Sequence, residues 1–347
     1  MLSFLNDYSE GAHERILEAL GKTNRLQTVG YGEDEFCARA RSLITAHLGG
    51  VDAEVHFLCG GTQTNLTLIA AALRAHQGVV SADTGHVNVH EAGAIEATGH
   101  KVLAIPSTDG KISADDVKKL VDAHYADVSF EHTVQPGMVY ISHPSELGTL
   151  YSKAQLSELS AYCRENGLPL FVDGARLGCA LTAKGNDVTL ADLAQLTDAF
   201  YIGGTKMGAL FGEALVITAP QLKKDFRYFM KQRGGMLAKG RLLGIQFASL
   251  FEDDLYFDLA RHANDMAEKL SQFLESAGCE FLVPTESNQL FPIMSNSAYK
   301  ALSREFKMTF WQDMGDGQTA VRLVTSWATE QAAVAAFGRA ASVVLKR

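Results

Sequence analysis

The sequence predicts an α/β protein with two parts: a large domain on a mostly parallel sheet covered by helices, and a smaller C-terminal α/β domain. Three observations lead there. Short, nearly continuous apolar runs alternate with amphipathic segments from about residue 34 onward, the pattern of strands buried on both faces by helices. Those runs end in glycines and polar side chains, where open α/β sheets collect ligands. The 347-residue chain is 47% hydrophobic and 20% charged, which leaves ample apolar surface for a core and excludes general disorder or a collagen-like fibre.

Each element follows from its local pattern. Residues 35 to 48, EFCARARSLITAHL, place Phe36, Ala40, Leu43, Ile44 and His47 at three- and four-residue steps before Gly49-Gly50, which predicts a helix. VHFL then reads as a strand, Gly60-Gly61 as a turn, and the following stretch as a helix with Thr62 or Thr64 as candidate cap. Further strands are expected at 78 to 82, 101 to 106, 138 to 142, 168 to 173, 199 to 204 and 214 to 218. Helices are expected between them, at 113 to 125 and at 153 to 167, the latter with Leu156, Leu159 and Ser160 on one face.

From about residue 240 one long helical tract leads to CEFLVP, NQLFPIM and TAVRLVTSW, and a last helix runs from about Glu330 to Lys346. That order predicts a smaller antiparallel sheet that the N-terminal segment can complete. The expected organisation is an N-terminal segment 1–30 packing with the small domain or across a dimer, a large domain 31–245 and a small domain 246–347.

Composition narrows the function classes. With 31 basic against 40 acidic residues and a net charge of −9, a surface built for nucleic-acid phosphates is not expected. Five cysteines, at 37, 59, 163, 179 and 279, form no CxxC pair and read as reduced thiols. The opening MLSFLNDYSEGAHE meets acidic and polar residues before a signal core can form, and no stretch reaches the roughly 20 apolar residues of a membrane span. A cytoplasmic protein without membrane or nucleic-acid partners is the expectation.

Chemistry gathers at the strand ends. Gly60-Gly61-Thr62 lies between a strand and a helix, where free amides and hydroxyls can hold a phosphate, although no P-loop or G-x-G-x-x-G spacing is present; an ordinary turn is the plainer alternative. Asp173 ends the apolar run LPLFV with Arg176 three residues on, and Lys206 ends AFYIGGT; singly these read as a helix cap and a surface lysine. Together a lysine and a carboxylate can converge on one small ligand. A partly desolvated lysine forms Schiff bases, and a carboxylate keeps a pyridinium nitrogen protonated. With the phosphate cradle this is the residue set of pyridoxal 5′-phosphate. His86, His90 and Glu91 do not make an HExxH zinc motif; no metal is expected, and an imidazole over a flat ring, available for proton transfer, fits better.

FLNDYSEGAHERILEAL, VGYGEDE, FLCGGTQTNL, HVNVHEAGAIE, PLFVDGARLG, YIGGTKMGA and VRLVTSW, in this order, resemble the low-specificity threonine aldolases and aromatic amino-acid β-eliminating lyases. Both belong to the aspartate-aminotransferase-like, fold type I pyridoxal-phosphate enzymes. The resemblance implies that Lys206 holds the cofactor, Asp173 pairs with its ring nitrogen, Gly61 and Thr62 bind phosphate and His86 stacks on the ring. It implies that Arg176 lies near the cofactor and the substrate carboxylate, and that Arg322 binds that carboxylate. It further implies active sites built between two subunits of a homotetramer, with Tyr31 and Arg233 or Lys239 contributing across the boundary.

Three departures from the family pattern stand out. Leu5-Asn6-Asp7-Tyr8 replaces an R-S-D-T-type segment, leaving Asn6 or Ser9 as carboxylate-binding candidate; Ser142-His143-Pro144-Ser145-Glu146 replaces E-N-T-H; Met207 follows the lysine. The expected activity is retro-aldol cleavage of a β-hydroxy-α-amino acid, L-threonine or L-allo-threonine, to glycine and an aldehyde. β-Elimination or racemisation would use the same Lys-Asp pair, and a silent α/β scaffold is the alternative of another class.

Overall fold

A computed structural model describes residues 1–345, so the expected helix residue Lys346 lies outside the described residues. The large sheet has seven strands in the order Glu54–Leu58, Glu213–Ile217, Ala199–Gly203, Leu170–Asp173, Gln135–Ser142, Gln77–Ala82 and Val102–Ile105. Neighbours are parallel except where Glu213–Ile217 runs antiparallel to both of its partners. Every apolar run expected between 55 and 218 is one of these strands.

Strand alternation sorts the sheet's side chains between two cores. Val80, Ile141, Val172 and Ile202 face helices that contribute Cys37, Ile44, Leu156, Leu159, Leu243 and Phe247. Val79, Tyr140, Phe171 and Tyr201 face the other side with Leu68, Ile69, Phe226 and Met230. Asp173, two residues beyond Phe171, therefore belongs by parity to the tyrosine face, the side covered by the helix Gly61–Ala72.

Two local expectations are corrected. The Gly61–Ala72 helix is not capped by Thr62 or Thr64: Gly60 is its N-cap with no side-chain bond, and Thr64 Oγ1 instead donates back to the Gly60 carbonyl at 3.0 Å. The long tract after residue 240 is two helices, Arg241–Phe251 and Leu255–Ser276, separated where Asp253 and Asp254 turn left-handed, at φ 52° and 56°. Apolar periodicity runs through such a break unnoticed. The large core extends along the second helix to Ala263, and the C-terminal core begins on it at Met266.

The C-terminal sheet is antiparallel, with Gln318–Val324 paired to Gln289–Leu290, Pro292–Ser295 and Thr309–Gly315. The exposed strand Thr309–Gly315 was not among the expected elements, although Asp316-Gly317, with φ of 48° and 75°, is a hairpin turn signal. The first residues do not extend that sheet: Leu2–Ser3 pairs in parallel with Phe306–Lys307 as a separate two-stranded sheet, and Phe4 enters the C-terminal core. Helix Glu14–Thr23 instead sends Ile16 into the large core. Among the described residues no helix is long and apolar enough to cross a membrane.

Candidate active site

The DGAR and GGTK segments leave adjacent strands and interlock. A Cβ on Gly174 would lie 1.8 Å from the Tyr201 carbonyl oxygen, and one on Gly203 would lie 2.3 Å from that of Ala175. Only glycine permits that crossing, which is closed by a bond from Gly203 N to Gly174 O at 3.0 Å. Asp173 and the Lys206 turn are thereby fixed side by side. Met207 points away into the large core, so its departure from the family pattern is absorbed by packing.

Asp173 is buried, and its carboxylate accepts from Asn65 Nδ2 at 3.0 Å, Tyr140 Oη at 2.5 Å, the Ala175 amide at 3.0 Å and Tyr201 Oη. Burial alone would raise its pKa, but the neighbouring His86 charge and these donors outweigh it and hold the carboxyl below its usual range. Lys206 is shifted down, first by burial and then by the Arg176 charge, against the opposing carboxylates of Asp7, Glu146 and Asp173. A lowered lysine keeps a larger share of free, nucleophilic amine.

His86 stands behind this pair. Its Nδ1 lies 2.8 Å from Glu91 Oε1, and Asn65 Nδ2 donates to the same oxygen at 2.7 Å, so Asn65 joins the two carboxylates. Burial pushes the His86 pKa down, but the Glu91 bond, with Glu146 and Asp173, carries it above the ordinary value. His90, with its ring centroid 5.7 Å from that of His86, is shifted down by burial and by the His86 charge. His143 plays no part in this cluster: it is fully buried, pushed down to about 4 by burial, and its Nδ1 accepts from the Tyr151 amide at 3.4 Å.

The two arginines have different partners. Arg176 forks onto Asp7, Nε to Oδ2 at 2.7 Å and Nη2 to Oδ1 at 3.1 Å, and Asn288 Nδ2 adds a 2.9 Å bond to Asp7. The Nε–Nη2 edge of that fork is spent on the protein, so a substrate would meet the other terminal nitrogen and the outer N–H of Nη2. Arg322 has no carboxylate partner among the described residues. Its Nε is buried without an acceptor, one terminal nitrogen reaches the Leu5 carbonyl at 3.4 Å, and its guanidinium lies 5.7 Å from the Trp311 ring centroid. With its Nε–H left without an acceptor, this guanidinium is able to take an anion. Asn6 Oδ1 is occupied by Ser9 Oγ at 2.8 Å and the Tyr8 amide at 3.1 Å. The polar residue that the N-terminal segment buries is Asp7.

The amides at the start of the Gly61–Ala72 helix, those of Gly61 and Thr62 included, lack a side-chain cap and form an anion cradle. Gln63 fastens this turn to a distant segment, accepting from the Cys59 amide at 3.1 Å and donating to the Arg233 carbonyl at 3.0 Å. Tyr31, Arg233 and Lys239 are not drawn to Lys206 within the chain. Tyr31 is exposed at φ 61° beneath the Lys231 ammonium, Arg233 lies over Phe229, and Lys239 is exposed.

Asn65, Tyr140, Tyr201, Glu91 as the partner of His86, Asp7, Glu146 and Asn288 were missed as site residues. Asn65 carried a usable signal, standing one helical turn after Gly61. Tyr140 and Tyr201 look like ordinary core aromatics until strand parity turns them toward Asp173.

The fold recurs elsewhere. The structure matches an aspartate aminotransferase of Thermus thermophilus at TM-score 0.73, over 99% of this chain and 91% of that one at 13% identity, a likeness of fold alone. A threonine aldolase structure from Leishmania major matches at TM-score 0.96 with 47% identity, over 99% of this chain and all of that one. Fold and site together define a fold type I pyridoxal-phosphate enzyme. The residues fit that cofactor: an uncapped helix start for its phosphate, a buried carboxylate for its ring nitrogen and a lysine with lowered pKa for its carbonyl carbon.

The chain belongs to the β-eliminating lyase family, whose model matches residues 9–297. It is 33% identical over 340 residues to a low specificity L-threonine aldolase of a Pseudomonas species, covering 95% of this chain and 94% of that one. The corresponding Pseudomonas aeruginosa protein is 30% identical over 334 residues, covering 94% and 93%.

Proposed function

We propose that this chain cleaves the Cα–Cβ bond of β-hydroxy-α-amino acids, L-threonine or L-allo-threonine among them, releasing glycine and an aldehyde. The observation that carries this reading is the run of contacts from Asp173 through Asn65 and Glu91 to His86. It stands a carboxylate-backed imidazole beside the carboxylate suited to a pyridine nitrogen. The names of the Pseudomonas and Leishmania relatives support it.

Pyridoxal 5′-phosphate, when bound, supplies a carbonyl carbon that captures amino groups and a pyridinium ring that takes up the electron pair left on Cα. Lys206 would hold it, the amides at Gly61 and Thr62 would bind its phosphate, and Asp173 would keep the ring nitrogen protonated by charge. Arg322 would grip the substrate carboxylate through its unpaired N–H groups, with Arg176 adding charge nearby, and so would fix the orientation of the substrate at Cα. His86 would take the β-hydroxyl proton at Nε2, with Glu91 holding its Nδ1–H.

The same reading includes assembly. Leu26, Val29, Tyr31 and Tyr228 are apolar and exposed, and a second copy that covered them would bring Tyr31, Arg233 and Lys239 to the neighbouring site, with a homotetramer as the full assembly. Five unpaired cysteines favour a cytoplasmic setting.

β-Elimination is the second reading, favoured by the description of the matching family, and it breaks a Cα–H bond first. Incubation with L-threonine, L-allo-threonine and phenylserine decides between the two. Equal yields of glycine and aldehyde are expected; ammonia and a 2-oxo acid without glycine would replace aldol cleavage by elimination.

A further inference from the structure

Glu146 is a carboxylate of the site that none of the roles above uses. It lies four residues past the end of the strand Gln135–Ser142, whose last residue pairs with Asp173, and it is half-buried. Ser142 Oγ donates to Glu146 Oε1 at 3.1 Å and stands 3.5 Å from Tyr140 Oη, the hydroxyl that donates to Asp173. On the other side Leu147 is buried with Val283 and Phe291 in a cluster against which Trp311 packs, and the Arg322 guanidinium lies over the Trp311 ring. Glu146 is thus bracketed between the carboxylate suited to a pyridine nitrogen and the arginine suited to a substrate carboxylate. Its turn is fixed from both ends of the chain. Ser145 Oγ accepts from the Leu147 and Thr149 amides at 3.3 and 3.2 Å, Ser287 Oγ donates to the Gly148 carbonyl at 2.9 Å, and Glu286 Oε2 accepts from the Leu150 amide at 2.7 Å.

Among the described residues Ser142 is the only side chain bonded to Glu146, and no cation pairs with it. Its second oxygen is left free in a region with positive charge to spare. Arg176 keeps unused N–H groups after its fork onto Asp7, and Arg322 has an N–H without an acceptor. Two guanidiniums with donors left over would suit an amino acid that carries two carboxylates, and a single α-carboxylate needs only one of them. A fixed carboxylate near both reverses that preference, because a second anion on the substrate would meet like charge. We propose that Glu146 is a specificity-determining residue: it turns away amino acids whose side chain carries a carboxylate and leaves the site to neutral β-hydroxy side chains. Its charge is felt across the site. Burial acts to lower Lys206, His86, His90, Arg176 and Arg322, and the Glu146 carboxylate works against burial in each.

The inference rests on the proposed function, and its test does not depend on turnover. L-Asparagine and L-aspartate share one shape and differ in side-chain charge, and neither has a β-hydroxyl to cleave. Each is titrated into the cofactor-loaded chain at neutral pH, with the visible band reporting binding. The native chain should bind asparagine about tenfold or more tighter than aspartate. Glu146→Gln should bring the two within about threefold of each other, chiefly by tightening aspartate. Glu146→Asp keeps the charge and should keep the preference. Equal binding of the two ligands by the native chain overturns the proposal, as does a preference that persists unchanged in E146Q or is lost alike in E146Q and E146D. Should E146Q fail to fold, E146A removes the same charge and is read in the same way. If threonine gave no glycine and aldehyde, the aldol reading would fail while the ratio of asparagine to aspartate binding still decided the role of Glu146. An unchanged ratio in E146Q with normal threonine cleavage in the native chain removes Glu146 alone.

Discussion

His86 and Glu91 make the most readily tested pair of side chains. The imidazole is raised above its ordinary value by the Glu91 bond despite burial, and it can accept the β-hydroxyl proton only when neutral. The acid limb of kcat/KM should therefore lie above the ordinary histidine value of 6.5, with activity rising as pH climbs through it. Glu91→Gln removes the supporting charge and should move that limb to lower pH; a limb that stays in place in E91Q takes the proton from some other group. Arg322 gives a complementary test. R322K should keep the cofactor's visible band yet lower kcat/KM by about 10-fold or more, because lysine offers a point charge where a fork is needed. The loss should be shared by threonine, allo-threonine and phenylserine, whose carboxylates are identical, and a loss confined to phenylserine would move Arg322 to side-chain recognition. Lys206, Asp173 and Arg322 were legible in the sequence because each ends or alternates along an apolar strand. Asp7 was hidden among polar neighbours, and the Arg176 fork that explains it lies far along the chain.

At the scale of elements, the N-terminal segment is held by two different forces. Phe4 contributes apolar burial in the C-terminal core, and Asp7 contributes a buried ion pair with Arg176. Burial would raise the Asp7 pKa, but the Arg176 and Lys206 charges and the Arg176 and Asn288 bonds bring it below the usual aspartate range. A lowered acid stabilises the fold above its unfolded pKa, and that contribution is lost only as pH falls through the folded value. Asp7→Asn should consequently cost about 3–5 kcal/mol, since it leaves a buried guanidinium unpaired, and the deficit should stay constant between about pH 5 and 8. Urea denaturation across that range measures it; a deficit under about 1 kcal/mol would mean that water or neighbouring groups satisfy Arg176. Elements with a buried face were legible from their periodicity. The break at Asp253-Asp254 was not, because the apolar pattern continues on either side, and the Thr309–Gly315 strand was not, because most of its residues are exposed.

For the whole molecule, the sheet was legible because its strands are buried on both faces and read as apolar runs. The convergence on Lys206 was only partly so. Strand ends announce themselves, whereas Asp7 and Asn288 reach the site from segments distant in sequence. Strand order also decides what the antiparallel insertion brings, since placing Glu213 between Leu58 and Gly203 depends on pairing that no local pattern states. The most direct test of a Lys206-centred site is to reduce the cofactor-loaded protein with borohydride and map the pyridoxyl adduct by peptide mass. A single adduct on Lys206, with loss of the visible band, is the expected result; an adduct on any other lysine, Lys239 included, would contradict it.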